Sequence, residues 1–161
     1  MATTYAFIAH RSTPLWVLLF LLLPMASPGQ GGGARIPQLE AELRQASGQQ
    51  RTRLLLQLAE AYKDRNTQRT YEYALEAQQL AGQQGQQRQE LQALMLQGYV
   101  YSLGDNPTNT VRIYKDAQAL AQKLGEAVAA QRATFRLGQA HLQMSRYQQA
   151  RTYLKQVLAQ T

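Results

Sequence analysis

Thr70, Thr110 and Ala150 lie forty residues apart, and the sequence around them recurs with the same period. Four residues beyond them come Ala74, Tyr114 and Leu154, and three beyond those come Ala77, Ala117 and Val157. Leu80-Ala81 returns as Leu120-Ala121, and Gly85 returns as Gly125. Upstream, Ala59, Gly98 and Gly138 align, followed three residues later by Tyr62, Tyr101 and His141. A recurrent unit of this length holds two helices that cannot bury their apolar faces alone, so successive units must stack. The period therefore predicts an all-α solenoid of about three helix-turn-helix units, not a closed globule.

The spacing within each unit agrees. From Ile36 onward the chain is rich in Leu, Ala, Gln, Arg and Glu, all good helix formers. Leu91, Leu94, Met95 and Tyr101 form one three-and-four stripe; Ile113, Tyr114, Ala117, Leu120 and Leu124 form another. Breaks are expected at Asn66, at Gly85, at Gly104-Asp105-Asn106-Pro107 and at Gly125. Pro107 fits the start of a helix, where its missing N–H costs nothing. Small residues at 59, 98, 110, 138 and 150 let paired helices approach closely, and Tyr62, Tyr101 and Tyr114 fill the space left beyond them.

At these positions the chain resembles the tetratricopeptide repeat family, whose pattern runs W-x2-L-G-x2-Y and then A-x3-F in paired antiparallel helices. The second unit fills the slots with Leu94, Gln97, Gly98, Tyr101, Thr110 and Tyr114, and the third with Thr134, Leu137, Gly138, His141, Ala150 and Leu154. The first unit has Leu55, Leu58, Ala59, Tyr62, Thr70 and Ala74, with one residue fewer between its helices. Leu or Thr in the Trp slot and Gln97 in a Leu slot depart from the pattern. The resemblance implies a TPR-like right-handed superhelix over residues 39–161, with units at about 50–85, 90–125 and 130–161. The long period, with Pro37-Gln38-Leu39-Glu40 leading to Leu54–Tyr62, looks like the extracytoplasmic input regions of bacterial two-component sensor kinases.

Ahead of the repeats, Arg11 precedes an apolar run from Leu15 to Ala26, followed by Ser27, Pro28, Gly29, Gln30 and Gly31. A basic residue, a short apolar run and a small-residue stretch are the layout of a secretory signal peptide. A membrane-spanning helix needs roughly 20 apolar residues, and Pro24 shortens this run further. Residues 1–29 are read as a signal peptide, cut after Ala26 or Gly29, and 30–38 as a flexible Gly/Gln spacer. The protein is then exported; a membrane association is expected only through an uncleaved leader. Gly29, Gly31 and Ala34 match a dinucleotide-binding spacing but lack the strand before and the helix opening on the glycines.

Several kinds of chemistry are excluded. There is no Cys, and of the two histidines, His10 and His141, the first falls in the leader, so in the mature chain no thiolate or histidine pair can hold a metal or build a nucleophilic relay. No cofactor, metal or catalytic activity is expected. Lys and Arg total 17 against 10 Asp and Glu, a formal +7, yet no run of like charge forms a stripe, which argues against nucleic acid.

The resemblance implies a protein or peptide ligand in the concave groove lined by the first helix of each unit. Counted from the aligned slots, the groove positions are Arg53, Leu56, Glu60 and Lys63; then Gln92, Met95, Tyr99 and Ser102; then Arg132, Phe135, Gln139 and Leu142. Leu56, Met95 and Phe135 could equally pack between hairpins, whereas Arg53, Tyr99 and Arg132 read as groove residues, since buried Arg is rare. The function implied is a non-catalytic, exported protein- or peptide-binding scaffold. The alternative is the sensory input part of a sensor histidine kinase without its kinase domain. Tyr147, Leu154, Val157 and Leu158 on the last helix predict an exposed apolar patch and self-association through that end.

Overall fold

The computed structural model describes residues 35–159, so the leader at 1–29 and the first part of the 30–38 spacer lie outside the described residues. Seven helices run through the described residues: α1 (Ile36–Gln45), α2 (Gly48–Tyr62), α3 (Thr67–Gln83), α4 (Gln87–Leu103), α5 (Pro107–Leu124), α6 (Ala127–Gln143) and α7 (Tyr147–Leu158). Each packs on its neighbours in sequence, and α2 also touches α4, as expected of an all-α solenoid of stacked hairpins. The hairpins are α2–α3, α4–α5 and α6–α7. Helix α1 stands before them and begins at Ile36, so residues 36–38 form its first turn rather than spacer.

Aligned residues make the same local bonds. Asn66 and Asn106 cap α3 and α5, their side-chain oxygens accepting from the backbone N–H of Arg69 (3.0 Å) and Asn109 (3.2 Å). Thr70 and Thr110 then donate their hydroxyls to the carbonyls of Asn66 (3.1 Å) and Asn106 (2.9 Å). The third unit has Arg146 and Ala150 there, and α7 begins without a side-chain cap. Gly85 and Gly125 end α3 and α5 at φ +66° and +71°, a left-handed conformation in which glycine avoids the Cβ penalty. At the break expected over Gly104–Pro107 the left-handed residue is Asp105 (φ 48°), not the glycine, and Ser145 (φ 57°) repeats this in the third unit.

Hairpin packing follows a size rule. Ala59 and Ala74 are both fully buried in the first unit. In the second, a Cβ on Gly98 would lie 2.7 Å from Cζ of Tyr114, and in the third a Cβ on Gly138 would lie 2.8 Å from Cδ2 of Leu154. Where the first helix gives up its side chain, the second fills the space. Gln97, in a slot where the repeat pattern has Leu, is buried because its amide donates to Gln78 Oε1 of the preceding hairpin at 2.8 Å. Gln118, forty residues after Gln78, likewise donates to Thr134 Oγ1 at 2.7 Å. Neutral polar links thus join successive units.

Helix α1 covers the face of the first hairpin. Leu39 packs with Leu54 and Leu58, and Glu40 accepts the hydroxyls of Tyr62 (2.9 Å) and Tyr73 (3.2 Å). These two rings stack with centroids 5.8 Å apart, as His141 stacks on Tyr153 at 5.3 Å in the third unit. His141 is a packed spacer whose burial, with Arg146 and Lys115 nearby, holds its pKa below the usual histidine value.

The third unit is the least enclosed. Ala150 is the one buried residue of α7; Leu154 and Val157 are half-buried, while Tyr147 and Leu158 are 66% and 73% exposed. No helix among the described residues is long and apolar enough to cross a membrane.

Candidate binding groove

The first helices α2, α4 and α6 stand in a row, and a cleft of about 410 Å³ opens between them. Glu60 and Lys63 line it from α2, Gln92, Met95, Leu96 and Tyr99 from α4, and Arg132 and Arg136 from α6. Helical spacing explains the set: Gln92, Met95, Leu96 and Tyr99 fall on one face of α4, and Arg132 and Arg136 on one face of α6.

Tyr114 reaches the same cleft from α5. Its ring passes over Gly98, whose missing side chain opens the way between α4 and α5. Burial pushes this phenol up, while Arg136 and then Arg132 oppose the shift. Tyr99 donates its hydroxyl to Asp64 Oδ1 at 3.0 Å, and this bond, with some burial, raises its pKa as well. Both phenols are therefore neutral hydrogen-bonding groups around neutral pH.

The charged groups differ between the walls. Lys63 Nζ lies 3.1 Å from Glu60 Oε1 and 5.0 Å above the centre of the Tyr99 ring, so on α2 the cation is matched. On α6, Arg136 donates to the neutral amide of Gln139 at 3.1 Å. Neither Arg132 nor Arg136 has a carboxylate within ion-pair distance among the described residues.

Six of the twelve positions expected from the repeat slots meet in this cleft: Glu60, Lys63, Gln92, Met95, Tyr99 and Arg132. Arg53 and Leu56 line a neighbouring depression with Gln57, Arg88, Gln89 and Gln92. Leu56, only 3% exposed, belongs mainly to the core with Ala93 and Leu96, so of the two roles open to it packing prevails. Ser102 turns back to donate to the carbonyl of Tyr99 at 2.6 Å. Phe135, Gln139 and Leu142 are not among the lining residues, although Phe135 and Leu142 are 41% and 44% exposed on α6.

Leu96, Tyr114 and Arg136 line the cleft without having been expected there. Arg136 was within reach, one turn from Arg132 on the same face. The pattern marks Tyr114 as a spacer filling a gap, and only the path across Gly98 brings it to the cleft wall.

No protein-family model matches the sequence. No curated protein matches it either. Among solved structures, the chain is similar to aspartyl phosphate phosphatase F from Bacillus subtilis, with a TM-score of 0.70 at 16% identity over 80% of this chain. That protein is itself a TPR-like helical-repeat protein. The match covers 38% of the neighbour's length. The likeness establishes the TPR-like helical-repeat fold.

Proposed function

We propose that the protein is an exported, non-catalytic scaffold that binds a protein or peptide segment in the cleft between α2, α4 and α6. The observation that carries this reading is the convergence of three successive first helices on one cleft, lined by the half-buried Met95, by Tyr99 and Tyr114 and by charged side chains from α2 and α6. Apolar anchors among a few directed polar groups are how small binding sites achieve both affinity and orientation. The phosphatase activity in the neighbour's name is not carried over. At 16% identity the likeness extends to the fold alone.

The test is selection from a random peptide library on the full chain. Tyr99→Ala with Arg132→Ala is expected to abolish enrichment while leaving thermal unfolding nearly unchanged, since Tyr99 is half-buried and Arg132 exposed. Unchanged enrichment would move the site elsewhere, and a large loss of helicity would make these residues structural.

Export rests on the leader layout alone. Mature protein from a secreting host is expected to lack about residues 1–29, and mass spectrometry finding the intact amino terminus in a soluble cytoplasmic fraction would refute it. The alternative setting, the input region of a sensor kinase, would use the same cleft for its signal. A membrane helix and kinase motifs downstream in the reading frame would favour it.

A further inference from the structure

Charge is spread unevenly over the repeats. Residues 35–85 carry seven Lys and Arg against six Asp and Glu, and residues 86–126 carry four against four. Residues 127–161 carry Arg132, Arg136, Arg146, Arg151 and Lys155 and no Asp or Glu at all. The last acidic residue before them, Glu126, is held by Arg88 at 3.0 Å. Nearly the whole positive excess of the repeat region therefore sits on the third unit, and Arg132 and Arg136 bring it into the cleft without a carboxylate to match it.

Two arginines one helical turn apart have Cβ atoms about 5–6 Å apart. Side chains on one face of an extended strand recur every second residue, about 6.4–6.8 Å apart. Guanidinium groups bind carboxylates through paired N–H donors, and such charge-assisted bonds are about twice as strong as neutral ones. We propose that the cleft takes an extended acidic peptide, with carboxylates at alternate positions on Arg132 and Arg136 and an apolar side chain on Met95. This rests on the binding reading above and names the class of its ligand.

The third unit of a second copy is a poor occupant for that wall, because it carries the same uncompensated charge. A single-stranded nucleic acid would also be drawn to a basic wall, but it needs open aromatic faces to stack on. Here Lys63 sits over one face of the Tyr99 ring, and Tyr114 is 2% exposed.

The experiment uses the full chain and labelled peptides of about ten residues, about 33 Å when extended. They are identical except at two alternate positions occupied by Glu, Gln or Lys, with Leu two residues further on. Fluorescence anisotropy at physiological salt is expected to show the Glu peptide binding about tenfold more tightly than the Gln peptide, and the Lys peptide more weakly still. Arg132→Gln with Arg136→Gln should bring the Glu peptide down to the Gln peptide's wild-type affinity, with helicity and thermal unfolding unchanged to show that the fold is intact. Arg151→Gln with Lys155→Gln removes equal charge from exposed positions on α7 and should change the Glu peptide by less than about twofold.

Equal losses in both variants would mean diffuse attraction and overturn the proposal. Displacement of the Glu peptide by a lower concentration of a single-stranded oligonucleotide would overturn it in favour of nucleic acid. If Glu and Gln peptides bind alike and Tyr99→Ala abolishes both, the acidic preference fails while the binding reading stands. If no peptide binds, the binding reading fails and this one with it.

Discussion

Gly98→Ala is expected to destabilise the protein, although alanine is the better helix former by about 0.8–1 kcal/mol. The added Cβ would lie 2.7, 2.8 and 3.0 Å from Cζ, Cε2 and Cε1 of Tyr114. The ring is rigid and 2% exposed, so it cannot swing aside into solvent. Overpacking of this kind costs about 1–3 kcal/mol, enough to outweigh the gain in propensity. Gly98→Leu should go further and unfold the array.

Gly138→Ala provides the control. There the nearest atoms belong to Leu154, at 2.8 and 2.9 Å, but that side chain is flexible and half-buried on the less enclosed α7, so a near-neutral effect is expected. Adding Tyr114→Ala to Gly98→Ala recreates the Ala59–Ala74 pairing of the first unit. The double variant should therefore be more stable than the sum of the single losses requires. Denaturant midpoints of the four proteins measure this, and additive losses or a stabilised Gly98→Ala would refute the size rule.

Leu137→Ala is expected to cost about 2–5 kcal/mol, the range for truncating a fully buried leucine. Leu137 has no exposed surface and packs in a cluster with Leu91 and Leu94 of α4, Ile113, Tyr114, Ala117 and Ala121 of α5, and Ala133 of its own helix. Repeat arrays gain stability from each unit and from the interface between neighbours, so the loss should fall on the third unit. Amide exchange is expected to accelerate across α6 and α7 while α2 and α3 keep their protection. Arg132 and Arg136 ride on α6, so binding in the cleft should weaken with it. Uniform loss of protection across all the helices would show instead that the array unfolds as one body.

Much of the molecule is legible in its sequence because its units are local. A helix needs only its own stripe, cap and stop, and these lie within a few residues of one another. Asn66 and Asn106, Gly85 and Gly125, and Pro107 therefore mark ends that the structure places within a residue or two. The period pairs Ala59, Gly98 and Gly138 with Ala74, Tyr114 and Leu154, because the same slots must meet in each hairpin. The positions on α2, α4 and α6 that meet in the cleft were half legible for the same reason: a common slot means a common face.

What the tertiary structure alone decided concerns contacts between elements far apart in the chain. Helix α1 lies outside the forty-residue period, and its role in binding Tyr62 and Tyr73 through Glu40 appears only once the hairpin brings both hydroxyls together. Gln97 departs from the repeat pattern until Gln78 is seen opposite it. Leu56 and Phe135 occupy one slot, yet Leu56 is 3% exposed beside α4 and Phe135 is 41% exposed on α6. Tyr114 contributes to the cleft because Gly98 leaves a passage, and Arg132 and Arg136 remain unmatched because the folded neighbours carry no carboxylate to them. Periodicity specifies which way a side chain points along its own helix; what it meets there depends on packing against residues dozens of positions away.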